Sequence, residues 1–495
     1  MANVYKHGAY AELGTSIAQN AVQAGTVAVY VGVAPVNLVQ GYANAEVVNL
    51  PVKINNFTDA QKKIGYSEDW VNFTLGEAVA AHFDNGLENI GPIYCINVLD
   101  PDTHRKSEVT NASITFTNNV AEFASDTAIL DTVTIENYVK DTDFKVDYNF
   151  TTGKVIITSL NDKLKDTVTT AYFEVDLTKI TKETIIGGVT ADGVYSGLGA
   201  LQLLYQRENQ VCNLLGCPKY SEIPEVYAKM ISACSEINGH WQAFFTADIP
   251  ITDETGAKVD TITKAKTWRT EHGYSSERSE IFWPQFEDVT TGRIFHGSTL
   301  AIVTYLKTDY EHDSVPFESC SNKEIPIGKQ YFGADSTNQG FDQMTATADL
   351  NAYGISTAVY WGGKWVLWGG NTAKYQYGKD IDPRAIDCHY MRMLFHLMNG
   401  FQRRQAVNID EPFNLQLKDS ILNEEQEIID SYIAQGGLLV GTEILFLASD
   451  NSTGDMINGD FVYQMPTSVT PRAKSLTAKV AYTDVGLKSL VVEEA

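Results

Sequence analysis

Residues 26–35 read TVAVYVGVAP, and this short run decides the fold class. Its apolar, largely β-branched residues are continuous rather than alternating, and Pro35 closes it, as in a strand buried on both faces. Working outward, Leu75 to Phe83 (LGEAVAAHF) has helical spacing and is stopped by Asp84-Asn85-Gly86. Pro92 to Leu99 (PIYCINVL) is a second apolar run of strand length. Strand, helix and buried strand in that order predict a layered α/β unit with parallel pairing.

The composition changes at Thr103. From there to Ile186 there are 17 Thr, a single Gly (Gly153) and no Pro, Cys or Trp. Phe144, Val146, Tyr148 and Phe150 alternate with polar residues, Thr151 to Lys154 form a turn, and Val155-Ile156-Ile157 start a return strand. Phe173, Val175 and Leu177 alternate in the same way. The spacing predicts an all-β, sandwich-like domain with one wet face over 103–186. The α/β pattern then resumes: a helix over Leu198–Arg207, the strand VCNLLG, a helix over Pro224–Ile237 and the strand WQAFFTADIP. Further helices are expected over Asp387–Arg404 and Leu422–Gln435, the second ended by Gly436-Gly437. From Phe461 the chain reads as strand: FVYQM, LTAKVAY, LKSLVV.

A chain of 495 residues exceeds one compact core, so three or more folding units are expected, and 44% hydrophobic residues suffice to fill them. With 62 Asp+Glu against 37 Lys+Arg the net charge is −25, the opposite of a nucleic-acid footprint. Six scattered cysteines fit reduced thiols and assembly in a cytoplasm rather than a disulfide framework. The opening MANVYKH has no apolar signal core, and no run approaches eighteen apolar residues, so neither a secretory leader nor direct membrane insertion is expected.

Catalytic patterns are hard to assemble. Gly362-Gly363 and Gly369-Gly370 lack the Lys-Ser/Thr of a phosphate loop, and GVYSG (193–197) puts its Ser one place too late for a nucleophile elbow. His389 and His396 lie seven apart on one helix, about 10 Å along its axis, too far to share a metal. Cys212, Cys217 and Cys234 lack finger-like spacing and read as small buried hydrophobes. Asp380, Asp382 and Asp387 surround Pro383 at a helix start, where capping explains them. YWGGKWVLWGG (360–370) fits a hairpin with buried Trp better than a sugar platform. The expectation is a structural protein without catalytic residues, cofactor or metal.

Several segments, in order, resemble the tail sheath family of contractile phage tails, which includes the sheaths of phage-tail-like bacteriocins and related injection particles. YKHGAYAELGTS (5–16) is similar to the family's N-terminal arm, TVAVYVGVAPVN (26–37) to its first core strand, and LGEAVAAHFDNG (75–86) through IYCINVL to its helix, turn and strand. GRIFHGSTLAIVTYLKTDYEHDSVPFESCSNKEI (292–325), Asn351–Gly354 with Trp368-Gly369, and NEEQEIIDSYIAQGGLLVGTEILF (423–446) continue the match. Gly370-Asn371 stands where many members carry Ala-Arg, so no role of that Arg is carried over.

The resemblance implies stacked hexameric rings forming a helical polymer around a tail tube, with baseplate and tail-terminator proteins as further partners. It implies a multidomain α/β and α+β architecture with extended strand arms at both ends. The expected division is an N-terminal arm (1–25), a discontinuous α/β core (26–102 plus 187–375), an outward β insert (103–186), a tube-facing domain (376–485) and a C-terminal strand arm (486–495). Strand exchange between subunits is expected at Val4, Tyr5, Tyr10, Leu487, Leu490, Val491 and Val492. Tube contact is expected at Glu424, Glu425, Glu427 and Asp430, with a plain solvated helix face as the competing account. The alternative reading of the whole chain is a non-catalytic, adhesin-like surface protein with the β insert as its binding module.

Overall fold

A computed structural model describes residues 22–490. Its centre is an eight-stranded sheet. β1 (Val22–Gly32) pairs in parallel with β3 (Ile90–Asn97) on one side, and β2 (Pro51–Ile54) closes that edge antiparallel to β3. The next six strands in chain order belong to the β insert. On the other side of β1 come β10 (Leu214–Gly216), β11 (Phe244–Asp248), β12 (Ser279–Phe282) and β13 (Ile355–Trp361), all parallel. β14 (Lys364–Trp368) ends that edge antiparallel to β13, giving the order β14-β13-β12-β11-β10-β1-β3-β2. The continuous apolar run at 26–35 is explained: Ala28 to Val31 are wholly buried between covering helices.

Those helices are α1 (Leu75–Phe83), α2 (Pro224–Ala233), α3 (Ile262–Glu271) and α4 (Gly297–Glu311). α1 is buried along its whole length and crosses from β1 to β3. The approach is so close that a Cβ at Gly91 on β3 would lie 2.8 Å from the Phe83 ring. α4 is also buried on nearly all faces and packs beneath β1 and β11. Its first turn is held by carboxylates: the His296 amide donates to Glu77 Oε1 at 2.7 Å and the Ser298 amide to Asp248 Oδ1 at 3.0 Å. At its far end Asp309 pairs with the buried Arg392 and accepts the Thr26 hydroxyl at 2.7 Å. Midway, Tyr305 Oη donates to the buried Glu280 at 2.5 Å, and the Gly370 amide donates to the same carboxyl at 2.9 Å.

The predicted helix at 198–207 is split, 3-10 over Gly197–Gln202 and α over Leu203–Glu208. The 360–370 hairpin forms as β13–β14, with Gly362 and Gly363 at φ 61° and 87°, the left-handed pair that a two-residue turn demands. Its tryptophans are not core residues: Trp361 is 49% exposed, and Trp365 and Trp368 are half-buried. β13 leaves the covered zone at its C-terminal end, so Tyr360 and Trp361 project beyond the helices.

The Thr-rich segment folds into two three-stranded antiparallel sheets. One has β4 (Thr110–Thr115), β9 (Thr167–Tyr172) and β6 (Thr134–Ile135) in that order. The other has β5 (Val120–Ala124), β8 (Lys154–Ser159) and β7 (Phe144–Asn149). Between them lies a separate core that includes Ile114, Phe144, Val146, Tyr148, Val155 and Ile157. The entering and leaving chains meet at a neck, where the Lys106 amide donates to the Glu174 carbonyl at 2.8 Å and Arg105 pairs with Val175. Among the described residues no helix is long and apolar enough to cross a membrane.

The neck gives a direct test of independence. Replacing residues 107–173 by two glycines should leave the eight-stranded core folded, with a cooperative thermal transition and near-native near-UV circular dichroism. Loss of the transition would show that the core needs the insert.

Candidate assembly interface

The residues whose types suggest catalysis are occupied structurally. His389 Nε2 lies 3.1 Å from the Thr470 carbonyl and His396 Nε2 lies 3.0 Å from Tyr432 Oη. Burial pushes both rings down to about 4, so they are neutral packing groups at neutral pH. The Ser196 hydroxyl accepts from the Gly188 amide at 3.3 Å. Cys212, Cys217 and Cys234 are buried free thiols, each raised by burial. Asp382 caps as expected, accepting from the Arg384 amide at 3.1 Å. Asp387 does not cap; it binds the Asn371 side chain at 2.9 Å and Arg472 at 2.8 Å. Among the described residues no group of three His, Cys, Asp or Glu is placed to hold a metal.

The surface that stands out lies at the C-terminal end. α5 (Cys388–Gln405) runs along a seam: Cys388, Met391 and Phe395 join the main core, while Met393 and Leu397 join a smaller one with Ile429, Leu438 and Ile444. α6 (Leu415–Ala434) starts seven residues earlier than its hydrophobic spacing predicts. Asn414 is the sequence signal for that earlier start, its side chain capping the Leu417 amide at 2.9 Å. On α6, Glu424, Glu427 and Asp430 are exposed. Glu425 is not. It is fully buried, held by Arg404 at 3.0 and 2.6 Å and by Gln405 at 2.7 Å. It therefore leaves the expected tube-facing set: one step around a helix is about 100°, which turns it from the solvent face to the seam. The surrounding region, 405–471, holds eleven Asp and Glu against Lys418 alone. Exposed Val407, Ile409, Leu415, Val440 and Ile457 are interspersed with those acids.

After α6 two extended segments pair antiparallel through Leu438 with Val469 and Leu445 with Gln464. From Phe461 to Val469 burial alternates strictly, odd residues half-buried and even ones exposed. Even-numbered backbone groups bond inward, as in Gln464 with Leu445 at 2.8 and 2.9 Å. The amides of Tyr463, Met465, Thr467 and Val469 point the other way and have no hydrogen-bond partner among the described residues. This is an open strand edge.

Beyond it Arg472 pins the chain to Asp387 and to the Gly369 carbonyl, and Lys474 lies over the Tyr375 ring at 4.7 Å. From Ser475 to Thr483 the chain has no regular structure, and Leu476, Val480 and Tyr482 are 88%, 94% and 88% exposed. The alternation that predicts a strand is present, but a strand needs a neighbour. Leu487 and Leu490 lie in a 3-10 turn, Val485–Leu490, rather than in a strand; with no partner edge among the described residues, the Leu487 amide turns back to the Asp484 carbonyl at 2.9 Å. Both leucines are exposed. Val4, Tyr5, Tyr10, Val491 and Val492 lie outside the described residues.

No protein-family profile matches the chain. Over 463 residues, 90% of this chain and 91% of its relative, it is 24% identical to the tail sheath protein of Burkholderia phage BcepMu. It is 23% identical over 316 residues to the major tail sheath protein of Serratia phage KSP20, spanning 62% of this chain and 73% of that one. Among solved structures it is similar to the helical sheath of the anti-feeding prophage in its contracted state, with a TM-score of 0.54, 14% identity, and coverage of 96% of this chain and 99% of the other. A second is the contracted sheath complex of the extracellular injection system PVC, with a TM-score of 0.53, 12% identity, and coverage of 98% and 100%. The fold is that of contractile sheath proteins.

The burial of Glu425 separates the acidic residues experimentally. Glu425→Ala strands Arg404 in the seam and should cost about 2–4 kcal/mol in urea unfolding. Glu424→Gln, Glu427→Gln and Asp430→Asn should each stay within about 0.5 kcal/mol of the parent.

Proposed function

We propose that this chain, whose sequence relatives are tail sheath proteins and whose fold is theirs, is the structural subunit of a contractile sheath. Copies polymerise as stacked rings in a helical lattice around a tube. The observation that carries this proposal is the match between an open strand edge at 461–469 and an alternating segment at 475–483 that pairs with no strand among the described residues. The second does not fold back on the first, because the chain between them is pinned at Arg472 to Asp387 and the Gly369 carbonyl. A second copy provides the partner. Main-chain hydrogen bonds then give the affinity, and burying Leu476, Val480 and Tyr482 contributes about 2 kcal/mol each.

Such a contact is heterologous: edge and strand are different surfaces, so it propagates rather than closing on itself. A link through extended backbone also tolerates rotation of the bodies it joins, which a switch between extended and contracted lattices requires. No bond is made or broken in that switch, and the chain needs no cofactor. The N-terminal arm, with Val4, Tyr5 and Tyr10, serves as a second strand donor, and Val491 and Val492 extend the C-terminal one. The acidic surface carrying Glu424, Glu427 and Asp430 faces the tube, where it meets a cationic partner surface. The 103–186 insert faces outward on its neck. Baseplate and terminator proteins bind the two ends of the polymer.

Electron microscopy of purified protein decides. The intact chain should form hollow striated cylinders, whereas deletion of 475–495 or of 1–15 should leave folded monomers. Cylinders formed by either deletion would remove that arm from the contact. The triple variant Glu424→Gln, Glu427→Gln, Asp430→Asn should still polymerise but fail to retain the tube protein in co-sedimentation; full retention would place the tube elsewhere.

A further inference from the structure

In a parallel sheet the crevice for ligands lies beyond the carboxyl ends of the strands, where the strand order reverses. Here the reversal falls between β1 and β10. The crevice beside it is not open. It is filled by side chains from four separate elements: Glu77 of α1, Glu222 of the 3-10 turn Tyr220–Glu222, Asp248 at the end of β11, and His296 at the start of α4.

His296 is the hub. Its Nδ1 lies 2.7 Å from Glu77 Oε2 and its Nε2 lies 3.3 Å from Glu222 Oε1. The same Nε2 is 2.9 Å from the Gln285 side-chain amide, which can serve either protonation state of the ring by turning over. Asp248 is held by the Ser298 amide at 3.0 Å and lies 3.3 Å from the Ser221 hydroxyl. Glu77, Asp248 and His296 are buried. Glu222 also lines an outer cleft, with Lys219, Trp268 and His272, which connects the cluster to solvent.

We propose that this cluster is a proton-operated clamp on the core layer. With His296 charged, one ring ties the start of α4 to α1 and to the Tyr220–Glu222 turn. When the ring loses its proton, Glu77 and Glu222 face a neutral group, the ties slacken, and the crevice edge of the layer softens. Three acids converge on one base, so the proton on His296 is the charge that holds them together.

Burial opposes charge on His296, but Glu77 and then Glu222 outweigh it and hold the ring well above the usual histidine range. Burial pushes Asp248 up to about 6 against the pull of His296. The other titratable groups facing the cluster are Lys219, whose Nζ donates to the Val71 carbonyl at 2.6 Å, and the phenols Tyr274 and Tyr30. For a base with a raised folded value, the stability is present in full below its unfolded value of about 6.5 and is lost as pH rises through the folded one. Ionising the buried Asp248 also costs stability as pH rises from about 4 through 6, so both groups act in one direction.

The test is thermal melting of the full chain, and of His296→Gln, between about pH 6 and 9.5. The parent Tm should fall by about 2–4 °C across that range, while His296→Gln starts lower and stays nearly flat, so that the curves converge at high pH. Parallel curves would overturn the proposal. A second measurement does not depend on that variant folding. In ring ¹³C NMR one histidine should titrate well above the usual histidine range in the parent and measurably lower in Glu222→Gln. If no histidine titrates above the usual histidine range, or none moves in Glu222→Gln, there is no clamp.

Discussion

The placement of α4 governs the rest of the molecule. A helix buried on nearly every face has no solvent-facing side to fix its rotation or its position along its axis. Polar ties near its two ends, about 18 Å apart, remove both freedoms. At one end Glu77 and Asp248 take the free amides of the first turn; at the other Asp309 joins Arg392 and Thr26. Buried pairs of this sort return little net stability once desolvation is counted, but removing one partner leaves an uncompensated charge inside. Their effect is on register. Through Thr26 the register of α4 reaches β1, and through Arg392 it reaches α5 and the C-terminal unit.

Much of the core is legible in the sequence because burial writes itself into composition. A strand covered on both faces reads as an unbroken apolar run, and TVAVYVGVAP, PIYCINVL and WQAFFTADIP all form parallel strands at the centre of the sheet. The β insert is legible through alternation, with Phe144, Val146 and Tyr148 pointing into its own core. The helix at 198–207 departs from its predicted form because Gly197 and Gly199 loosen its first turns into 3-10 geometry. Trp361 departs from its predicted burial because an aromatic-rich hairpin looks like core even where its strands stop being covered.

The acidic surface and the C-terminal segment are legible by their chemistry but not by their geometry. Acidic spacing on α6 places Glu424, Glu427 and Asp430 on a wet face, yet Glu425 belongs to the seam, and only its distance to Arg404 reveals that. The ion-pair partners are twenty-one residues apart, and no local rule pairs them. The C-terminal strand shows the opposite problem. LTAKVAY has strand alternation, but a strand is a property of two paired segments, and among the described residues this one pairs with none.

The anchor at Arg472 has a mechanical consequence. The chain beyond it is held by the Arg472 guanidinium, which grips Asp387 at the start of α5 and the Gly369 carbonyl, and by Lys474 over the Tyr375 ring. Tension drawn along the tail therefore enters the body around the start of an 18-residue helix and the end of β14. The helix does not carry that load on its own hydrogen bonds alone, because side chains on two of its faces are packed into two cores along its length. The fold resists such a pull as a rope resists, along its length.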